Sequence, residues 1–370
     1  MRYNLLKSRV PKSRREAVAS KLLKLSKRLD KSIPEKDSDE HLLLATFNIR
    51  DFGKSRNRGF GKRLPESLFY LAEIISRFDF VAIQEVNELD DLKTTMQILG
   101  EDWDYIATDV TDSSLGGNGE RLTYVFDRRK VEFQNIAGEI VLPNNMLISK
   151  SVVDTDAGRV HAGKQFRRTP FIGKFQSGWF KFEICTVHLY YGSESGPKLA
   201  QRIEEIERVA KYFGRRAEKA EKEHRSLILL GDFNIVHPGH KTMQALIDQG
   251  FEIPDGLGPS NVAGGKFYDQ IAFRCCPGIL DFVNSGSPSE PNCGVLDLFK
   301  NVFTTAQFDE YKDFAKKSPN GKTKTGRDLK KYYKQWRTYQ ISDHKPMWVR
   351  LRTNDSQKYL KSILDGSPIS

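Results

Sequence analysis

From residue 41 the chain alternates short apolar runs with longer amphipathic stretches. Residues 41–49 (HLLLATFNI), 79–86 (DFVAIQEV) and 226–233 (SLILLGDF) read as buried strands. Further strands are expected at 103–110, 121–127, 130–141, 165–176, 178–189, 267–273 and 345–352, rich in aromatic and β-branched residues. Gln176, Ser177 and Gly178 read as a hairpin turn between two of these. Helices are expected at 64–78, opened by Pro65, and at 87–99, 196–224 and 241–249. Residues 142–164 read as loop. Hairpins mixed with strand–helix units imply an α/β chain in which mixed sheets are covered by helices.

Two regions stand apart from this alternation. Residues 11–30 read as a basic amphipathic helix with Val18, Leu22, Leu25 and Leu29 on one stripe, suited to docking on the main domain or to an anionic surface. Residues 300–340 interleave Lys and Arg with Tyr333 and Trp336. That mixture suits either a nucleic-acid groove or a solvated helical insertion. The expected organisation is a basic helical extension at 1–40, one domain at 41–352 with the basic insertion near 300–340, and a tail at 353–370.

Composition narrows the classes. The chain has 370 residues, 38% of them hydrophobic, enough for a large core. Lys and Arg total 59 against 48 Asp and Glu, a formal charge of +11, which favours an anionic partner. Four cysteines without metal-binding spacing suggest a reduced compartment. No apolar run approaches the roughly 18 residues of a transmembrane helix. The basic N-terminus lacks the apolar core of a secretory signal, so a cytoplasmic chain is expected.

Chemistry gathers where the strands end. Asn48, Glu85, His188, the Asp232–Asn234 pair and the Asp343–His344 pair each terminate or precede an apolar run, and Asp269 and Glu120 open two others. Any one of these could be a turn, a surface group or a satisfied core residue. Their recurrence at strand ends is what points to a site. Glu85, Asp343, Asp232 and Asn48 are hard oxygen donors of the kind Mg²⁺ prefers. Two imidazoles can serve as acid and base, each steadied by a carboxylate such as Asp269 or Glu120. Arg168 and Asn234 can donate to a phosphate.

The strings TFNIRDFG, IQEV, GERLTYVF, RRTP, TVHLYY, GDFN, YDQI and SDHKP run in order from about His41 to Arg352. In that order they resemble the endonuclease/exonuclease/phosphatase superfamily, most closely its deoxyribonuclease I-like branch. The resemblance implies a four-layer α/β sandwich of two packed mixed sheets flanked by helices. It also implies Mg²⁺-dependent cleavage of phosphate esters, with Mn²⁺ as a substitute, and DNA as the favoured substrate. By the same resemblance Glu85, Asp343, Asn48 and Asp232 hold the metal, and Arg168, Asn48 and Asn234 contact phosphate. His344 with Asp269 is the base, His188 with Glu120 the acid, and Asp232 and Asn234 attend the attacking water. Asn87 and Asn118 depart from the branch, which places an Arg and a Tyr there for DNA contact. A phosphatase or phosphodiesterase acting on a lipid or small phosphate ester would use the same site. A non-catalytic nucleic-acid-binding module is the rival from another class, and the full set of catalytic residue types argues against it.

Three other features read as structural. His237 and His240 flank Pro238 and Gly239 in a loop and helix start, Cys275 and Cys276 suit burial, and Gly116, Gly117, Asn118 and Gly119 suit a turn.

Overall fold

The computed structural model describes residues 1–54, 57–110, 119–143, 146–147, 149–155, 158–164, 166, 168–274 and 278–366. Asn118, Gly116, Gly117, Cys275 and Cys276 lie outside the described residues.

One sheet has the order β12-β13-β1-β2-β4-β3, from β1 (His41–Phe52), β2 (Phe80–Val86), β3 (Trp103–Ala107), β4 (Arg121–Asp127), β12 (Cys293–Val295) and β13 (Met347–Arg352). The other has the order β11-β10-β9-β8-β5, from β5 (Glu132–Glu139), β8 (Phe171–Ser177), β9 (Phe180–His188), β10 (Ser226–Asp232) and β11 (Asp269–Arg274). β1 with β2 and β9 with β10 are parallel, and the remaining pairs are antiparallel, so both sheets are mixed.

Side chains alternate across each strand, and both faces are covered, which is why the central runs are apolar at consecutive positions. In β1, Leu42 and Leu44 enter the core between the sheets, where they meet Phe80, Tyr124, Phe175, Phe182, Ile228 and Val349. Leu43, Ala45, Phe47 and Ile49 face outward to a helical layer. That layer comprises α2 (Arg15–Ser32), α3 (Pro65–Ile75), α4 (Leu89–Leu99), α8 (Phe308–Lys317) and α9 (Gly326–Gln340). On the second sheet, Leu227 and Leu229 of β10 face α5 (Gly196–Lys222) and α6 (Lys241–Ile247). The result is four layers, helix, sheet, sheet, helix. The other α-helices among the described residues are α1 (Leu6–Arg9), α7 (Ile279–Asn284) and α10 (Ser356–Asp365).

The stripe on α2 is spent on packing. Val18, Leu22, Leu25 and Leu29 are buried in the outer core, each contributing about 2 kcal/mol by area. Ion pairs from Arg14 to Glu66 and from Lys36 to Asp79 (2.9 Å) and Asp127 (3.2 Å) hold the segment down. An anionic surface therefore has no apolar stripe to meet here.

Four sequence expectations change. Residues 149–155 and 158–164, read as loop, form the hairpin of β6 (Ser149–Thr155) and β7 (Gly158–Lys164). The β-branched residues on either side of Asp156, Ala157 and Gly158 were the overlooked signal. β8 begins at Phe171, just after Pro170, which cannot donate to a ladder, and residues 165 and 167 of the expected strand lie outside the described residues. Ser177 pairs with Phe180, so the β8–β9 turn is Gly178–Trp179, with Gly178 at φ +55. Tyr333 and Trp336 are 1% and 2% exposed and pack inward, so neither is a stacking platform.

Candidate active site

One phase of the pleat builds the site. The residues that face the inter-sheet core are Leu42 and Leu44 in β1, Phe182 and Ile184 in β9, Ile228 and Leu230 in β10, and Ile271 and Phe273 in β11. Continuing each strand in steps of two reaches Thr46 and Asn48, Thr186 and His188, Asp232, and Asp269. The sandwich interior thus turns from apolar to polar at one end. Its floor is Gln84, whose amide donates to Thr186 Oγ1 (2.8 Å) and Thr46 Oγ1 (3.1 Å).

Strand register sets the neighbours. Asp232 lies opposite His188 on β9 and opposite Asp269 on β11. Gly231 permits this: a Cβ there would stand 2.2 Å from the Val187 carbonyl oxygen, and its φ is +125. Glu85 has the wrong phase, since Gln84 already faces inward. A left-handed backbone (φ +63) at an irregularity in the β2 ladder turns its carboxylate back into the site. The Asp51 backbone N–H then holds it through Oε2 at 2.8 Å.

The polar groups converge. Asn48 Nδ2 donates to Glu85 Oε1 (3.1 Å) and Asp232 Oδ2 (3.0 Å). Asp232 Oδ2 also lies 3.6 Å from Nε2 of His188 and 3.8 Å from Nε2 of His344. Each imidazole is backed on its other nitrogen. His344 Nδ1 is 2.7 Å from Asp269 Oδ2. His188 Nδ1 is 3.0 Å from Glu120 Oε2, within ion-pair range but off the line of a good hydrogen bond. Asp343 pairs with Arg50 at 3.0 Å. Among the described residues, the group of His, Cys, Asp and Glu with donors within 4.8 Å of one another is Asp232, Asp269 and His344. This is a different set from the four residues named from the sequence.

Crowded carboxylates set the electrostatics. Burial pushes Glu85 above its ordinary value, Glu120 and Asp343 add to this, and His188 opposes it. Burial also raises Asp269, against the pull of His344. For His344 burial opposes the charge, but Asp269, Asp232 and Asp343 outweigh it and hold the imidazole pKa well above the ordinary value.

Two expected phosphate donors are occupied. Arg168 donates through Nε to Glu120 Oε2 at 2.7 Å. Asn234 and Asp232 do not share a strand face, because Asn234 is left-handed (φ +55). Its N–H is capped by Asp232 Oδ1 (2.9 Å), and its Nδ2 turns back to the Leu189 carbonyl (2.9 Å). Phe233 between them is fully buried. His240 Nδ1 accepts from the Thr242 N–H at 3.2 Å, capping α6.

Supporting residues had escaped the sequence reading. Ser342 Oγ donates to the Asn48 carbonyl (2.6 Å) and accepts from the His344 (3.0 Å) and Arg50 (3.2 Å) N–H groups. Arg202, fully buried on α5, donates to the carbonyls of Tyr191 (2.8 Å), Ser193 (2.5 Å) and Asn234 (2.7 Å). A serine beside Asp-His carried a faint signal. An arginine in a charged helix carried none.

No family model matches the chain. A curated deoxyribonuclease of Thioalkalivibrio sp. (strain K90mix) is 29% identical over 215 residues, 56% of this chain and 50% of that protein. The chain thus spans about half the length of the curated relative it matches. Among solved structures, an endonuclease/exonuclease/phosphatase family protein from Bacteroides thetaiotaomicron is 19% identical, covering 85% of this chain and 98% of that one at a TM-score of 0.49. A mannosyl-6-phosphatase from Bacteroides thetaiotaomicron VPI-5482 is 17% identical, covering 83% and 98% at a TM-score of 0.50. Among the described residues no helix is long and apolar enough to cross a membrane.

Proposed function

We propose that this chain, which resembles the endonuclease/exonuclease/phosphatase superfamily in fold and in its strand-end motifs, is a divalent-cation-dependent phosphodiesterase that cleaves DNA by in-line attack of water. One observation carries the reading. Asp232 Oδ2 stands between two imidazole Nε2 atoms, at 3.6 and 3.8 Å, and each imidazole has its own carboxylate behind it. A structural histidine needs no such duplicate arrangement, whereas hydrolysis needs one group to take a proton and another to give one.

The donor set suits a hard cation such as Mg²⁺ or Mn²⁺. Asn48 Oδ1 and Asp343 Oδ1 are buried without a hydrogen-bond partner, and Glu85 is crowded by like charge. Glu85, Asp343, Asn48 and Asp232 would hold it. When bound, the cation would supply charge to the phosphoryl oxygens and offset the carboxylates that raise the His344 pKa.

The protein's own groups do the rest. Asp269 fixes His344 so that Nε2 faces the pocket to take the proton of the attacking water. Glu120 orients His188, whose Nε2 gives a proton to the leaving oxygen. Asn48 and Asp232 align that water and the phosphate, and Arg168 holds Glu120 in place behind His188. Asn234 acts as a positioning residue through the N–H it donates to Asp232 Oδ1.

The deoxyribonuclease relative and the net charge of +11 favour DNA. A substrate panel tests this: supercoiled plasmid, single-stranded RNA, mannose 6-phosphate and a phosphoinositide, each with Mg²⁺ or EDTA. Mg²⁺-dependent nicking of plasmid is expected. Turnover of the sugar phosphate or lipid with intact plasmid would replace DNA as the substrate.

A further inference from the structure

The basic insertion carries a dense run of cations. Between 316 and 334 the sequence places seven lysines and one arginine against a single acid, Asp328. All eight cations are exposed. Cations nearby in the same helical layer are paired, as in Lys21 with Glu310 and Lys312 with Asp309. Eight exposed cations against one acid in nineteen residues repel one another, and that cost is offset when an anion binds.

Helical periodicity sorts α9 cleanly. Leu329, Tyr332, Tyr333 and Trp336 are buried, while Arg327, Lys330, Lys331 and Lys334 face solvent. The face is anchored to the rim of the site at two points. At the C-terminal end of α9, Thr338 and Tyr339 accept from Arg50 at 2.7 and 2.8 Å, and Arg50 pairs with Asp343. Ahead of α9, Asn320 donates to the Arg58 carbonyl at 2.9 Å, and Phe60 stacks on Tyr332 and Tyr339. Arg58 is itself exposed, and its Nε lies 3.4 Å from Asp51, the residue whose N–H holds Glu85.

We infer that the lysine face of α9, joined to the catalytic pocket at Arg58, is a rail for the phosphate backbone of a DNA strand extending to one side of the cut bond. This rests on the phosphodiesterase reading for what lies at the rail's end, but not for the rail's own binding. The fifteen residues of α9 span about 22 Å, the length of about six phosphates along one strand. Recognition is blind to sequence, because the aromatic residues that could stack on bases are buried beneath the lysines. A lipid surface fits less well: none of the large exposed hydrophobic residues falls in 300–340, and surface-bound helices insert apolar side chains.

The test uses the full chain and the variant Arg327→Gln/Lys330→Gln/Lys331→Gln/Lys334→Gln, with Lys330→Arg/Lys331→Arg/Lys334→Arg as a charge-retaining control. Anisotropy of a labelled 30-base-pair duplex is read against salt in EDTA. KM and kcat are read on the same duplex and on bis(p-nitrophenyl) phosphate with Mg²⁺. Each lost phosphate contact lowers the slope of log K against log salt by about 0.9, so the quadruple variant should lose about 3 to 4. Its KM for duplex should rise about tenfold or more, with the small diester unaffected and the arginine control like wild type. An unchanged slope and KM overturns the rail, as does variant-sensitive binding to phosphatidylserine vesicles with unchanged binding to duplex. Wild-type protein that hydrolyses neither substrate sinks the catalytic reading alone, since the anisotropy arm still decides the rail. If the quadruple variant does not fold by circular dichroism, Lys330→Gln/Lys334→Gln is expected to lose about 1.8 in slope, and no loss there overturns the inference.

Discussion

Asp269 Oδ2 lies 2.7 Å from Nδ1 of His344, with both side chains withdrawn from solvent. The contact fixes which imidazole nitrogen faces the pocket and stabilises the charged ring. Asp269→Asn keeps the volume but removes the charge. It is expected to lower kcat on DNA by about 10²- to 10⁴-fold while KM changes little. Steady-state kinetics beside a thermal melt separates this from unfolding.

Asn234 is argued to work through backbone geometry. At φ +55 a β-carbon costs about 1 kcal/mol relative to glycine. Both Asn234→Gly and Asn234→Ala lose the bond to Leu189, so Asn234→Ala should be the less stable by about 1 kcal/mol in urea denaturation. Equal stabilities contradict a left-handed Asn234.

Arg202 satisfies three loop carbonyls at once. Lysine is a point charge that cannot reach all three. Arg202→Lys should therefore destabilise by about 2 to 3 kcal/mol and reduce nicking, although no atom of Arg202 is assigned to the chemistry. A denaturant midpoint like that of wild type would remove it as a support of the site.

The ties between the N-terminal segment and the sheet predict a pH signature. Burial works against the Asp127 carboxylate, but its bonds to Arg129 and the charge of Lys36 outweigh that and hold its pKa down at about 2. A depressed carboxylate contributes stability above its unfolded value of about 4 and loses it as pH falls through the folded value. Asp127→Asn should cost about 1 kcal/mol at neutral pH, after allowance for screening around Arg129, which is 65% exposed. The difference from wild type should close between about pH 4 and pH 2, as followed by urea unfolding.

Much of the site could be read from polar residues that end apolar runs. Asn48, His188, Asp232 and Asp269 fall in phase with the core, and a strand repeat of two carries them to one mouth. Glu85 also ends an apolar run, but its strand phase is wrong and a positive φ corrects it. Asn234 turns to the Leu189 carbonyl for the same reason, since backbone handedness at a non-glycine residue leaves no mark in the sequence. Tyr333 and Trp336 looked like part of a mixed binding surface, yet their spacing with Leu329 and Tyr332 is that of a buried helical face. Arg202 was invisible, since a buried arginine and a solvated one look alike in a helix as charged as α5.

Single-turnover nicking of supercoiled plasmid in Mg²⁺ tests the paired imidazoles most directly, using wild type, His188→Ala, His344→Ala and the double variant, all checked for folding by circular dichroism. Each single variant should be slower by about 100-fold or more, the double variant little worse than the slower single one, and EDTA should abolish the wild-type rate. Near-normal nicking by either single variant, or nicking that persists in EDTA, would contradict hydrolysis by two carboxylate-backed histidines around a cation.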